Sequence, residues 1–222
     1  MKKIKELLAS NKEWAEAMKA DDPTFFERLS EAQNPEFLWI GCSDSRISPT
    51  SSIGLLPGDM FVHRNVANLV NHSDMNCLAV MQFAVEVLSV RHIIVCGHYN
   101  CGGVKAALDD ARYGLVDNWL RHIQDTMHKY EADLNKLPDY ETRLDKLCEL
   151  NVIEQVVSVG ETTVVQDAWE RGQQLLLHGW IYTIADGIYR DMNISVGSLA
   201  ELDAMRIKTF EDRNSIGALH AN

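Results

Sequence analysis

Apolar residues along this chain fall into two kinds of run. Residues 37–41, 60–63, 92–97 and 175–182 are short and nearly uninterrupted, and they carry branched and aromatic side chains, as strands buried on both faces do. Longer stretches carry apolar residues three and four apart and predict amphipathic helices. These are residues 3–19 (Ile4, Leu7, Leu8, Trp14, Met18), 74–88 (Leu78, Met81, Val85, Leu88), 102–111, 117–136, 139–159 and 162–171. Asp22-Pro23 predicts an N-cap and first residue of a short helix through Ser30, Ser48-Pro49 the start of another, and Asp74 the cap of the helix that follows. Leu56-Pro57-Gly58-Asp59 reads as a turn and residues 64–68 as a strand-end loop. Asp186-Gly187 predicts a hairpin that returns Ile188-Tyr189 antiparallel at the sheet edge. From Asn193 the pattern is weak and predicts no element. Strand, helix and strand in succession give an α/β fold: a mainly parallel central sheet flanked by helices, with an antiparallel edge strand and an N-terminal helical arm. With no linker-like segment, residues 1–222 read as a single domain whose residues 1–34 form the arm, and an apolar stripe with Trp14 on it predicts that the arm packs on a partner subunit.

Composition narrows the function more than the fold. A net charge of −11 argues against a nucleic-acid partner or an anionic membrane, both of which reward a basic face. No segment approaches the roughly 18 consecutive apolar residues of a membrane span. The start, Met1-Lys2-Lys3-Ile4, has the basic character of an export signal, but Lys5, Glu6 and Lys12 interrupt it before an apolar core develops. Five dispersed cysteines do not make a disulfide framework, and a reducing, cytoplasmic location is the simpler expectation.

Two of the predicted strands end in reactive residues. Phe37-Leu38-Trp39-Ile40 leads into Cys42-Ser43-Asp44-Ser45-Arg46, and His92-Ile93-Ile94-Val95-Cys96-Gly97 leads into His98-Tyr99-Asn100-Cys101-Gly102-Gly103. Open α/β sheets keep their chemistry at such strand ends. If the two strands are parallel neighbours, Cys42, His98 and Cys101 converge, and two thiolates with one imidazole suit zinc with a fourth position left open. Each signal alone is ordinary. A cysteine at a strand end is usually core filler, and that reading applies to Cys77, Cys96 and Cys148 in their apolar runs. Gly102 offers a backbone N–H at a helix start, a natural contact for an oxyanion.

Taken in order, Cys42-Ser-Asp-Ser-Arg46, Phe61-Val-His-Arg-Asn-Val-Ala-Asn68 and Gly97-His-Tyr-Asn-Cys-Gly-Gly103 resemble the motifs of the β-class carbonic anhydrases. The likeness runs from the N-terminal helices through Glu149-Leu-Asn-Val-Ile-Glu-Gln155 and Trp169-Glu-Arg-Gly172 to His178-Gly-Trp-Ile-Tyr182 and weakens only toward the C-terminus. It implies an enzyme that reversibly hydrates carbon dioxide to bicarbonate and a proton. One Zn²⁺ per subunit is then bound by Cys42, His98 and Cys101, with the fourth position shared between water and Asp44. The resemblance further implies that Asp44 and Arg46 form a catalytic pair orienting zinc-bound hydroxide, and that Gln33 helps bind substrate or bicarbonate across a subunit interface. Phe61, Val66 and Phe83 are the candidate apolar walls, suited to a nonpolar gas. Some bacterial members of the family hold bicarbonate in a noncatalytic pocket of Trp, Arg and Tyr. Trp39, Arg64 and Tyr182 match it, which implies that bicarbonate at Arg64 favours Asp44 on zinc at lower pH. A homodimer, or a homotetramer built as a pair of dimers, is implied as well.

Some positions depart from the family pattern. Pro49 stands one place later than in many relatives, Asn100 replaces a small residue, and Phe83 lacks the hydroxyl of a frequent Tyr. His63 and His72 have the titration range of a proton shuttle, but nothing assigns them that role. Two rivals remain open: a zinc hydrolase for carbon disulfide or carbonyl sulfide on a related fold, and a silent bicarbonate-sensing protein acting through Arg64. The retained Asp44 and Arg46 oppose the second, and the absent His-x-Glu and Pro-Cys-x-x-Cys signature opposes a zinc deaminase.

Overall fold

The computed structural model describes residues 3–211. Among them β1 (Phe37–Cys42), β2 (Met60–Asn65), β3 (His92–His98), β4 (Leu176–Thr183) and β5 (Ile188–Val196) form one sheet in the order β2-β1-β3-β4-β5. All pairs are parallel except β4–β5. The chain leaves β1 for β2 on one side and then crosses to β3 on the other, with Ile40 level with Val95. The carboxyl ends of β1 and β3 therefore border the crevice where open α/β sheets bind their ligands.

Helices α1 (Ile4–Asp21) and α2 (Phe25–Glu31) precede the sheet, α3 (Pro49–Ser52) lies between β1 and β2, and α4 (Met75–Gln82) between β2 and β3. Between β3 and β4 come α5 (Gly102–Leu108), α6 (Leu115–Lys129), α7 (Glu131–Leu134), α8 (Tyr140–Gly160) and α9 (Thr163–Glu170); α10 (Leu199–Glu211) follows β5. Strand side chains alternate between faces. Leu38, Ile40, Ile93, Val95, Leu177 and Ile181 join the helices in the main core, whereas Trp39, Ile94, Cys96 and Tyr182 face the other way in a smaller cluster with Ile47. Helix α8 sits directly on β3 and β4 because both strands have a glycine beneath it: a Cβ on Gly97 would lie 2.5 Å from Val152 Cγ2, and one on Gly179 would lie 3.3 Å from Val152 Cγ1. No helix among the described residues is long and apolar enough to cross a membrane.

Several boundaries differ from those the sequence predicts, each for a local reason. Helix α2 starts at Phe25 rather than after Asp22, because the Asp22 carboxylate accepts from Thr24 N–H at 2.9 Å and Thr24 O–H at 2.8 Å and folds a turn there. Strand β2 runs on through Arg64 and Asn65, which the sequence assigns to a loop. The helix predicted over 74–88 is α-helical only to Gln82; Phe83–Val87 is a π-helical turn closed by Leu88 N–H on Phe83 O. The helix predicted over 117–136 begins at Leu115, with Asp117 reaching back to the Tyr113 and Gly114 N–H groups, and stops at Lys129, where buried Tyr130 turns its hydroxyl onto Glu154. The hairpin at Asp186-Gly187 forms as predicted, with Gly187 at φ +73°. Its second strand extends to Val196 past a register irregularity at Gly179/Trp180, which breaks the alternation that would have marked it, and α10 follows where no element was predicted.

Candidate metal centre

Cys42 is the last residue of β1, His98 the last of β3, and Cys101 the residue that precedes α5. All three are buried, and their ligand atoms lie within 4.8 Å of one another. The two sulfurs are 3.8 Å apart, the separation that two zinc–sulfur bonds of about 2.3 Å at a tetrahedral angle require. His98 Nδ1 stands 3.0 Å from the Tyr99 carbonyl, which only an N–H can approach, so Nε2 carries the lone pair. That Nε2 is buried and has no hydrogen-bond partner. A buried nitrogen acceptor facing two sulfurs is costly unless a cation fills the space between them, and the donor set is the one zinc prefers. Titration agrees. The bond from the Cys101 thiol, then His98 and the Ala67 N–H, push the Cys42 thiol well down, while the same sulfur contact and burial hold Cys101 up. The pair thus shares a proton that a divalent cation would replace. Burial pushes the neighbouring Cys148 thiol up to about 12, so it stays protonated at neutral pH.

Asp44 lies beside the cluster, its Oδ2 3.8 Å from His98 Nε2. The Arg46 guanidinium grips it from two atoms, Nε on Oδ1 at 2.9 Å and Nη2 on Oδ2 at 2.7 Å, and the Arg46 N–H adds a third bond at 3.0 Å. This clamp holds the Asp44 carboxyl well below the usual carboxylate range. The loop is fixed from the sheet edge as well: Arg64 donates from Nε to Cys42 O and from Nη2 to Asp44 O, both at 2.8 Å.

The remaining candidates are scattered around this centre. Gly102 opens α5 with free space where a Cβ would stand, and Val66 leans on Gly103, 3.0 Å from the position of a Cβ there. Phe61 stacks on Phe83 with ring centroids 5.9 Å apart. Gln33 is exposed on the stretch between α2 and β1. Trp39 and Tyr182 are buried in the smaller cluster, where Tyr189 lies 5.5 Å from Trp39 and 4.4 Å from Tyr182. His72 is held on Ser158 O at 2.8 Å, and burial lowers the pKa of His63. A cavity of about 260 Å³ lined by His72, His122, Lys129 and Glu154 among others includes none of the cluster residues.

Sequence reasoning missed the inner supports. The sequence marks Tyr189 only as a hairpin residue and Arg64 only as a loop residue and regulatory cation, and it assigns no role to Glu149, Asn151 or Gln155. A signal was present: these three polar residues interrupt an apolar stretch of predicted helix beside Leu147, Leu150, Val152 and Val156, and all three are buried.

Comparison with known proteins agrees with this geometry. The family model described as carbonic anhydrase matches residues 37–189. A carbonic anhydrase of Emericella nidulans is 44% identical over 198 residues, covering 89% of this chain and 87% of that protein. Among solved structures, the Coccomyxa β-carbonic anhydrase in complex with acetazolamide superposes with a TM-score of 0.88 at 36% identity, covering 98% of this chain and all of that one. One of two tetrameric β-carbonic anhydrases from Sordaria macrospora gives 0.81 at 38% identity, covering 86% of this chain and 97% of that one. Sheet order, the zinc-type donor set and these likenesses converge on one conclusion: this chain belongs to the β-class carbonic anhydrases, zinc enzymes of carbon dioxide hydration.

Proposed function

We propose that Asp44 and Arg46 are the working pair of this enzyme's reversible hydration of carbon dioxide. The observation that carries the reading is the position of the Asp44 carboxylate, clamped by Arg46 yet 3.8 Å from the lone-pair nitrogen of His98. Cys42, His98 and Cys101 would hold zinc, which would supply a water acidic enough to lose a proton near neutral pH. Two thiolates offset the charge of the cation, so an acceptor beside the water matters more than in an all-imidazole site. Asp44, ionised and fixed, accepts a hydrogen bond from the attacking water and aims its lone pair at the carbon. Arg46 keeps Asp44 ionised and turned from the thiols; released from Arg46, the carboxylate would be free to take the open position beside Cys42, His98 and Cys101 and close the site. Gly102 N–H faces the developing bicarbonate oxygen, Phe61, Val66 and Phe83 form the apolar wall, and Gln33 reaches the substrate from a partner subunit.

Residues 1–222 act as one domain and assemble as a homodimer or homotetramer through the arm. Helix α1 supports this: it buries none of its own residues and exposes Ile4, Leu7, Leu8 and Trp14. A cytoplasmic, reducing location is supported by five cysteines that are all free. Bicarbonate acts as a regulator at Trp39, Arg64 and Tyr182, a reading favoured by the bond from Arg64 to the Asp44 carbonyl: an anion that draws the guanidinium away loosens the catalytic loop.

Stopped-flow hydration on the zinc-loaded protein tests the central reading. Asp44→Asn is expected to keep its zinc and lose about a hundredfold or more in kcat/KM; unchanged turnover would contradict the role. Faster hydrolysis of carbon disulfide than hydration of carbon dioxide would favour the hydrolase rival. Inhibition by bicarbonate that persists unchanged in Trp39→Phe and Tyr182→Phe would remove the regulatory reading.

A further inference from the structure

Helix α8 buries a thiol and three polar side chains, and two of the four lead toward the metal ligands. The thiol, Cys148, packs into the apolar core. Glu149 accepts the Tyr99 hydroxyl at 2.8 Å, and the Tyr99 carbonyl accepts His98 Nδ1–H. Asn151 donates from Nδ2 to the Ala67 carbonyl at 2.9 Å; Ala67 stands two residues past Asn65, the sheet partner of Cys42, and its Cβ lies 3.2 Å from where one would stand on Gly103, two residues past Cys101. The fourth, Gln155, locks the arrangement, donating to Asn151 Oδ1 at 3.1 Å while accepting the Val70 N–H at 2.8 Å.

The turn that Asn151 holds is one the chain would not adopt unaided. Ala67 and Asn68 are consecutive left-handed residues, at φ +66° and +50°, and neither is glycine. Asparagine tolerates that conformation; alanine does not, because its Cβ crowds the carbonyl. Ala67 is fully buried and Asn151 is 1% exposed, so no water substitutes for the amide. Strained backbone of this kind persists only where its surroundings over-determine it.

We propose that α8 sets the geometry of the metal ligands, and that Asn151 is a positioning residue which, through Ala67, holds the turn wedged between the Cys42 strand end and the Cys101 loop. The inference rests on Cys42, His98 and Cys101 holding zinc. Supports of this kind orient ligands and typically carry 10- to 100-fold in metal affinity. Without Asn151 the turn relaxes toward ordinary φ, Ala67 shifts against Gly103, and the ends that carry Cys42 and Cys101 lose their spacing.

The test compares zinc release to excess chelator from the zinc-loaded enzyme in four proteins: wild type, Asn151→Ala, Gln155→Ala and Thr162→Val. Thr162 is a buried cap of α9, so its loss destabilises the fold away from the metal. Release is expected to be about 10- to 100-fold faster in Asn151→Ala, a few-fold faster in Gln155→Ala, which acts one bond further out, and unchanged in Thr162→Val. With Co²⁺ in place of zinc, the sulfur-to-metal absorption band is expected to shift in the first two variants alone. Should Asn151→Ala fail to fold, Gln155→Ala and its band shift decide. Release rates that simply follow melting temperature across all the variants, with an unshifted band, would overturn the proposal. A wild-type protein that binds no stoichiometric zinc would instead overturn the metal reading beneath it.

Discussion

On the face of the sheet toward α8, Leu38, Ile40, Ile93 and Val95 are sealed by aliphatic side chains from helices on either side of α8 in sequence. The opposite face carries Trp39, Trp180, Tyr182 and Tyr189 packed edge-on or tilted against one another, and Ile47 is the buried residue from outside the sheet that joins them. The difference maps onto the site. Cys42 belongs to the sealed face, which α8 covers, whereas Arg64 stands level with Gly41 on the aromatic face and reaches the loop from there. The Cys42 thiol is thus packed in the core beneath a helix, and the backbone of the Asp44 loop is tied to a side chain of the edge strand.

The largest effect that would break this division is at the sealed face. Cys42→Ser is expected to lose stoichiometric zinc and about a thousandfold or more of hydration activity, measured by metal analysis and stopped-flow together. Next, Arg46→Ala is expected to keep its zinc and lose about a hundredfold of activity; loss of metal as well would show that the loop and the ligands are one unit. On stability, Leu38→Ala should cost about 2–5 kcal/mol, whereas Val62→Ala, 39% exposed on the edge strand, should cost under about 1 kcal/mol, both from urea melts. Equal costs would contradict the contrast.

A smaller effect is common to both faces. His63, level with Ile40, and His178, level with Ile94, both have pKa values lowered from 6.5 by burial, with His92 adding to the effect at His178. The unfolded chain therefore takes up the proton first. The stability these imidazoles contribute is full above pH 6.5 and is lost as pH falls through that value toward the lowered folded ones. The urea midpoint is expected to drop between pH 7 and 5, and to drop less in His178→Gln; an identical slope would show that His178 does not contribute.

Elements defined by their own residues were readable from the sequence, and those defined by a distant partner were not. The apolar runs of β1 and β3 announced buried parallel strands, and a thiol at the end of each, with His98, announced the donor set. The π-helical turn at Phe83–Val87 keeps Val85 and Leu88 at helical spacing, so periodicity alone does not reveal it. The left-handed turn at Ala67 and Asn68 escaped because neither residue is glycine; its cause is Asn151, 84 residues away. For the same reason Glu149 and Gln155 drew notice as parts of a motif and not as supports: what they hold becomes visible only when α8 lies on the sheet.

The claim that Cys42, His98 and Cys101 grip one cation is tested most directly by X-ray absorption at the zinc edge of the purified enzyme. Two sulfurs at about 2.3 Å, one imidazole nitrogen and one further light atom are expected, with one sulfur lost in Cys42→Ser. A zinc shell without sulfur, or protein that carries no zinc at all, would contradict it.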